Sequence, residues 1–142
     1  MLSLCGELQK SGDEYICILD LESPLNIKDG TTVGLQDILL PTLVNYHNHK
    51  VIIRDMDNGS IRVSVHSDIV STDTILGDQL LRSFCVKVGQ RHYESPYPIM
   101  LQTRSGTFNK IVLHLKVKTC DGLNYTLYRG NISVTFVLDI NE

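Results

Sequence analysis

Three short stretches and one scattered set of tyrosines hold residue types with chemical potential. Asp55-Met56-Asp57-Asn58-Gly59 alternates carboxylates ahead of a glycine, as loops that wrap oxygens around a hard cation do. The helix-flanked calcium loop needs a longer ligand series and a glutamate at its twelfth position, which is missing here. A hairpin turn with solvated charges is the simpler reading. His47-Asn48-His49 sets two imidazoles two residues apart, on one side of a strand. His66, His92 or His114 would complete a zinc site only if the fold delivered it, since no spacing fixes a third ligand. His66-Ser67-Asp68 contains the side chains of a hydrolytic triad, but successive strand residues face opposite ways, so adjacency works against a relay. Tyr93, Tyr97 and Tyr128, with His92, have the ring faces that stack on sugars, against which stands the absence of tryptophan. Packing at loop ends and sheet edges is their plainer role.

No G-x-S-x-G elbow and no phosphate-cradling glycine cluster occurs, because the glycines stand singly at turns. The expectation is a protein that is not an enzyme and uses no metal or cofactor. Cys5, Cys17, Cys85 and Cys120 are widely spaced with no C-x-x-C pair, and free thiols are expected of them. The first residues lack the basic and apolar regions of a secretory leader, and no window approaches a membrane span. That points to a soluble protein made inside the cell, and the three Asn-x-Ser/Thr sequons are then chance matches. A formal charge of −3 with scattered Lys and Arg predicts no nucleic-acid partner and no membrane partner.

The elements that must position these residues read as strands. With 142 residues the chain is expected to form one domain with its own core. Short apolar runs rich in Val, Ile, Leu, Thr and Tyr are bounded by Gly, Pro, Asn and Asp, the mark of an all-β fold. Strands are expected over residues 14–21, closed by Ser23-Pro24, and over 32–40, stopped by Pro41. Residues 50–54 and 60–66 flank Asp57-Asn58-Gly59 as a hairpin. Further strands are expected over 83–88, 99–103, 109–118, 124–128 and 132–140. Ile61, Val63 and Val65 should share a buried face, as should Ile111, Leu113, Leu115 and Val117, and Val134, Phe136 and Leu138.

Residues 65–84 interrupt this regularity. After a strand the chain turns polar and Asp-rich, then reaches Leu80-Leu81-Arg82. Ile75, Leu76, Leu80 and Leu81 lie near helical spacing, with Thr72 or Asp73 as a cap, so a short helical segment is expected near 73–82. It would either plug an open end of a β-sandwich or contact a neighbouring subunit.

The order of features resembles the small jelly-roll capsid proteins of Polinton-like and adintovirus-like elements, the vertex (penton) or minor capsid class. Three places carry the likeness. Ser23-Pro24-Leu25, followed by Val33-Gly34-Leu35-Gln36-Asp37-Ile38-Leu39-Leu40-Pro41, is similar to the family's early strands. His66-Ser67-Asp68-Ile69-Val70 through Gly77-Asp78 to Leu80-Leu81-Arg82 is similar to its strand, aspartate, G-D and L-L-R succession. Asp121-Gly122, Tyr128-Arg129-Gly130 and residues 134–138 are similar to its last hairpin and closing strand. The chain lacks the tryptophan the family carries in its second strand and has no large insertion domain.

The resemblance implies a single jelly-roll β-sandwich of about eight antiparallel strands over residues 1–142. It implies a structural capsid or capsid-like protein, self-assembling into a symmetric oligomer, a pentamer at vertices, with a major capsid protein as a further partner and the virion as its location. Asp68, Asp73, Asp78 and Arg82 are the expected polar contacts between subunits, with Ile75 and Leu76 as apolar anchors. The rival expectation is a monomeric binding module whose tyrosine-bearing loops recognise carbohydrate or a protein ligand.

Overall fold

The computed structural model of the chain describes residues 1–41, 43–44, 60–72, 78–87, 90–119, 126–127 and 130–140. These form strands β1 (Leu2–Ser11), β2 (Glu14–Ile27), β3 (Thr31–Leu39), β4 (Leu43–Val44), β5 (Ser60–Ser67) and β6 (Leu80–Lys87). Then follow β7 (His92–Glu94), β8 (Leu101–Gln102), β9 (Gly106–Thr119), β10 (Thr126–Leu127) and β11 (Asn131–Ile140). No helix occurs among the described residues.

Strand order runs β6-β5-β9-β2-β1-β11-β3-β7, with β8 also on β3, and β4 pairs separately with β10. All pairings are antiparallel. β1 belongs to both layers: its residues 2–7 pair with β11, while residues 8–11 pair with β2. One layer is therefore β1-β11-β3-β7 and the other β2-β9-β5-β6. That interleaving, in which each layer takes strands from both halves of the chain, is a jelly roll.

Period-two alternation builds the core between the layers. Ile61, Val63 and Val65 on β5 and Ile111, Leu113, Leu115 and Val117 on β9 are buried. They meet Val33, Leu35 and Ile38 on β3 and Ile132, Val134 and Phe136 on β11. The expected faces hold, with Leu138 partly buried at the rim.

Two boundaries differ from the expectation for a local reason. β2 continues through Ser23-Pro24 to Ile27, because its register with β9 shifts between Asp20 and Leu25 and residues 21–24 bulge out of the ladder. A bulge needs no amide from Pro24, so the proline does not end the strand. Leu80-Leu81-Arg82 opens strand β6 rather than closing a helix. Val65 pairs with Arg82 and His66 with Leu80, which makes Leu81 the extra residue of a second bulge. Residues 73–77 lie outside the described residues, as do the expected strands' residues 50–54, 88, 124–125 and 128.

Candidate functional site

The most chemically mixed surface lies where β2, β5 and β9 meet the turn before β6. Glu14, His66, Ser67, Asp68, Asp78, Gln79, His114 and Lys116 line an open cleft of ≈ 230 Å³ there. Alternation places His66 and His114 on the solvent side, directly opposite one another across β5 and β9. Glu14 starts β2 and sends its carboxylate to the Lys116 Nζ, 3.4 Å away, and the His114 Nδ1, 4.0 Å away. His66 Nδ1 lies 3.0 Å from the Asp78 carbonyl oxygen. A carbonyl only accepts, so Nδ1 is the donor of this bond.

The turn itself is held on several sides. Asp78 and Gln79 take φ of 50° and 58°, the left-handed region that side chains disfavour. Gln79 answers with three bonds: its carbonyl accepts from Ser67 N at 3.1 Å, and its Nε2 donates to the carbonyls of Val70 at 2.9 Å and Asp68 at 3.5 Å. Asp68 works as an extension of the β5–β9 ladder. Its amide donates to the Val112 carbonyl at 3.2 Å, and its carboxylate accepts from Val112 N at 3.0 Å. Arg104 Nη1 donates to the Asp68 carbonyl at 3.1 Å.

His66, Ser67 and Asp68 therefore spend their polar groups in three directions. Ser67 is buried, and its Oγ accepts from Ile69 N at 3.3 Å. No relay forms between them. His92 lies on β7 in the other layer, away from the His66–His114 pair. Among the described residues no group of three or more His, Cys, Asp or Glu side chains is arranged to hold a metal. His47, His49 and the 55–59 loop fall outside the described residues.

The tyrosines separate. Tyr93 faces inward and stacks on Phe84 at 4.0 Å, accepting from Arg82 Nε at 3.1 Å, whereas Tyr97 is 89% exposed between Pro96 and Pro98. Tyr128 is outside the described residues. Of the expected subunit contacts, Asp68 and Arg82 bond within the chain, Asp78 is exposed, and Asp73, Ile75 and Leu76 are outside the described residues. Cys5 and Cys85 are exposed free thiols and Cys17 is a buried one. Burial, with the Cys5 thiol nearby, pushes the Cys17 thiol up to about 11.

The roles of Glu14, Gln79 and Arg104 escaped the sequence reading. The signal for Glu14 was the alternation of His114 and Lys116 on β9; the others depend on a turn conformation with no sequence mark. Compared with family models, curated proteins and solved structures, the chain matches none.

Proposed function

We propose that this protein is a structural, capsid-like subunit that assembles with copies of itself into a symmetric oligomer, with a pentamer at vertices as the favoured form. The supporting observation is the jelly-roll strand order, β1-β11-β3-β7 against β2-β9-β5-β6. Such modules expose broad sheet faces and loop ends that identical copies cover in closed arrangements. Three polar side chains of the cleft fix backbone: His66, Asp68 and Gln79 all bond to main-chain atoms. That is the economy of a scaffold.

Native mass by light scattering, followed by electron microscopy of the purified chain, tests the reading. A discrete ring supports it, and a monomer at every concentration overturns it. Among the interface residues expected from the sequence, Asp78→Lys is the informative change. Arg82 is tied to Tyr93, so reversing its charge disturbs the fold as well.

One observation favours a second reading. Tyr97 presents 89% of its surface to solvent from a segment braced by two prolines, an arrangement suited to stacking on a sugar ring. Binding to a glycan array that Tyr97→Ala abolishes would select this reading over the first.

A further inference from the structure

Each outer face of the sandwich carries a directly opposed pair of like charges, and the two pairs have opposite sign. On the β2-β9-β5-β6 layer, Arg62 and Lys118 are register partners, and both are exposed. Lys87 joins them: it pairs with Ser60 while Arg62 pairs with Cys85, so Lys87 is diagonal to Arg62 on the same face. The other cations of this face, unlike these, have a carboxylate beside or opposite them. Lys110 stands opposite Asp20, and Lys116 pairs with Glu14. On the β1-β11-β3-β7 layer, half-buried Asp37 and exposed Glu94 are register partners. Asp139 and Glu7 share that outer face, on β11 and β1.

Like charges directly across a strand pair destabilise a sheet. Among the described residues both ion pairs run to Glu14, so neither relieves Arg62–Lys118 or Asp37–Glu94. Among the described residues these stay two unfavourable pairs, on opposite sides of one core, each the complement of the other.

We propose that the face bearing Arg62, Lys118 and Lys87 docks on the face bearing Asp37 and Glu94 of a second copy of this chain. A two-fold contact would set like charge on like, so the contact is head-to-tail. Repeated, it closes into a ring if the rotation between copies closes, and otherwise grows as a filament. The proposal rests on the self-assembly reading and specifies its surface. A polyanion such as a nucleic acid would also suit the basic face, but it leaves the acidic pair unexplained.

The test uses the full chain and two double variants, Arg62→Glu with Lys118→Glu, and Asp37→Lys with Glu94→Lys. Light scattering is expected to show each variant alone as a monomer, while an equimolar mixture recovers assembly because each supplies the face the other lacks. Since the two variants must then alternate, the recovered form is an open chain or an even-numbered ring, not a pentamer. The wild-type oligomer should weaken by roughly 0.5 M NaCl, where screening shortens to about 4 Å. The single change Arg62→Glu turns a repelling pair into an attracting one, so it should raise the melting temperature while weakening assembly, which unfolding does not do. If wild type assembles and both double variants keep its size, this surface is wrong and the self-assembly reading stands. If wild type is monomeric at all ionic strengths, the self-assembly reading falls and this surface with it. Oligonucleotide binding that Arg62→Glu with Lys118→Glu removes, without change in self-association, also overturns the proposal.

Discussion

The ring of Phe84 on β6 lies 4.0 Å from the ring of Tyr93 on β7, with the planes 10° apart. These strands end the sheet order on opposite sides, and no backbone ladder joins them. The seam is instead closed by side chains: the ring stack, and Arg82 Nε donating to the Tyr93 hydroxyl at 3.1 Å. Arg82 stands two residues before Phe84 in unbroken register with β5, so strand alternation puts both on the same side of β6. Phe84→Ala, which removes a ring only 6% exposed, is expected to cost about 3–5 kcal/mol in urea denaturation. Tyr93→Phe keeps the stack and loses only the hydrogen bond, at about 1–2 kcal/mol. Equal losses in the two variants would mean that the stack contributes little.

Asp68 is expected to act as a ladder residue. Asp68→Ala strips the acceptor from Val112 N, which lies beyond the last β5–β9 pair, Ser67 with Leu113. An orphaned amide of this kind costs about 1–3 kcal/mol. Asp68→Asn retains an acceptor oxygen and should lose less than half as much. Hydrogen exchange at Val112 gives the direct readout: faster in the alanine variant, close to wild type in the asparagine variant.

Gly6 marks the place where β1 passes from one layer to the other. A Cβ there would stand 2.6 Å from Cys17 Sγ and 2.9 Å from both the Ile18 carbonyl and Leu19 Cδ2. Because one of those neighbours is backbone and Cys17 and Leu19 are fully buried, β1 must move away from β2. Gly6→Ala should destabilise by about 1–3 kcal/mol, as overpacking does. Gly12→Ala is not an equivalent control, since Gly12 has open space but φ of +62°. A melting temperature for Gly6→Ala equal to wild type would show that the layer crossing has slack.

Where strands obey a period of two, the fold was legible: Ile61 to Val65, Ile111 to Val117 and Val134 to Phe136 all face the core as their spacing implies. Legibility failed where one residue too many enters a strand. Leu80 and Leu81 break alternation, and a helix and a bulged strand leave the same trace in sequence; only the pairing of His66 with Leu80 separates them. Pro24 misled in the same way, since a bulge excuses the missing amide. β1 leaves only a faint trace in sequence: Leu2, Leu4 and Leu8 share a side, but Gly6 interrupts the series. The like-charged pairs were hidden for a different reason. Arg62 and Lys118 are unremarkable until register sets them face to face, and register is a long-range property.

Cys17 gives a pH-dependent prediction. It is fully buried on the inner side of β2, and its thiol is pushed up to about 11 from the ordinary 9.0 by burial and then by Cys5. The folded state therefore holds this proton more tightly than the unfolded chain does. Below about pH 9 both states are protonated and Cys17 contributes no slope to stability. As pH rises from 9 toward 11 the unfolded chain ionises first, so stability falls through that window. Urea midpoints of wild type should drop more steeply between these limits than those of Cys17→Ala, whose other titrating groups are the same. At pH 8, iodoacetamide followed by peptide mapping should label exposed Cys5 and Cys85 in the folded protein and leave Cys17 unmodified until urea is added. Labelling of Cys17 as fast as Cys5 under native conditions would show that β2 opens far more readily than its packing allows.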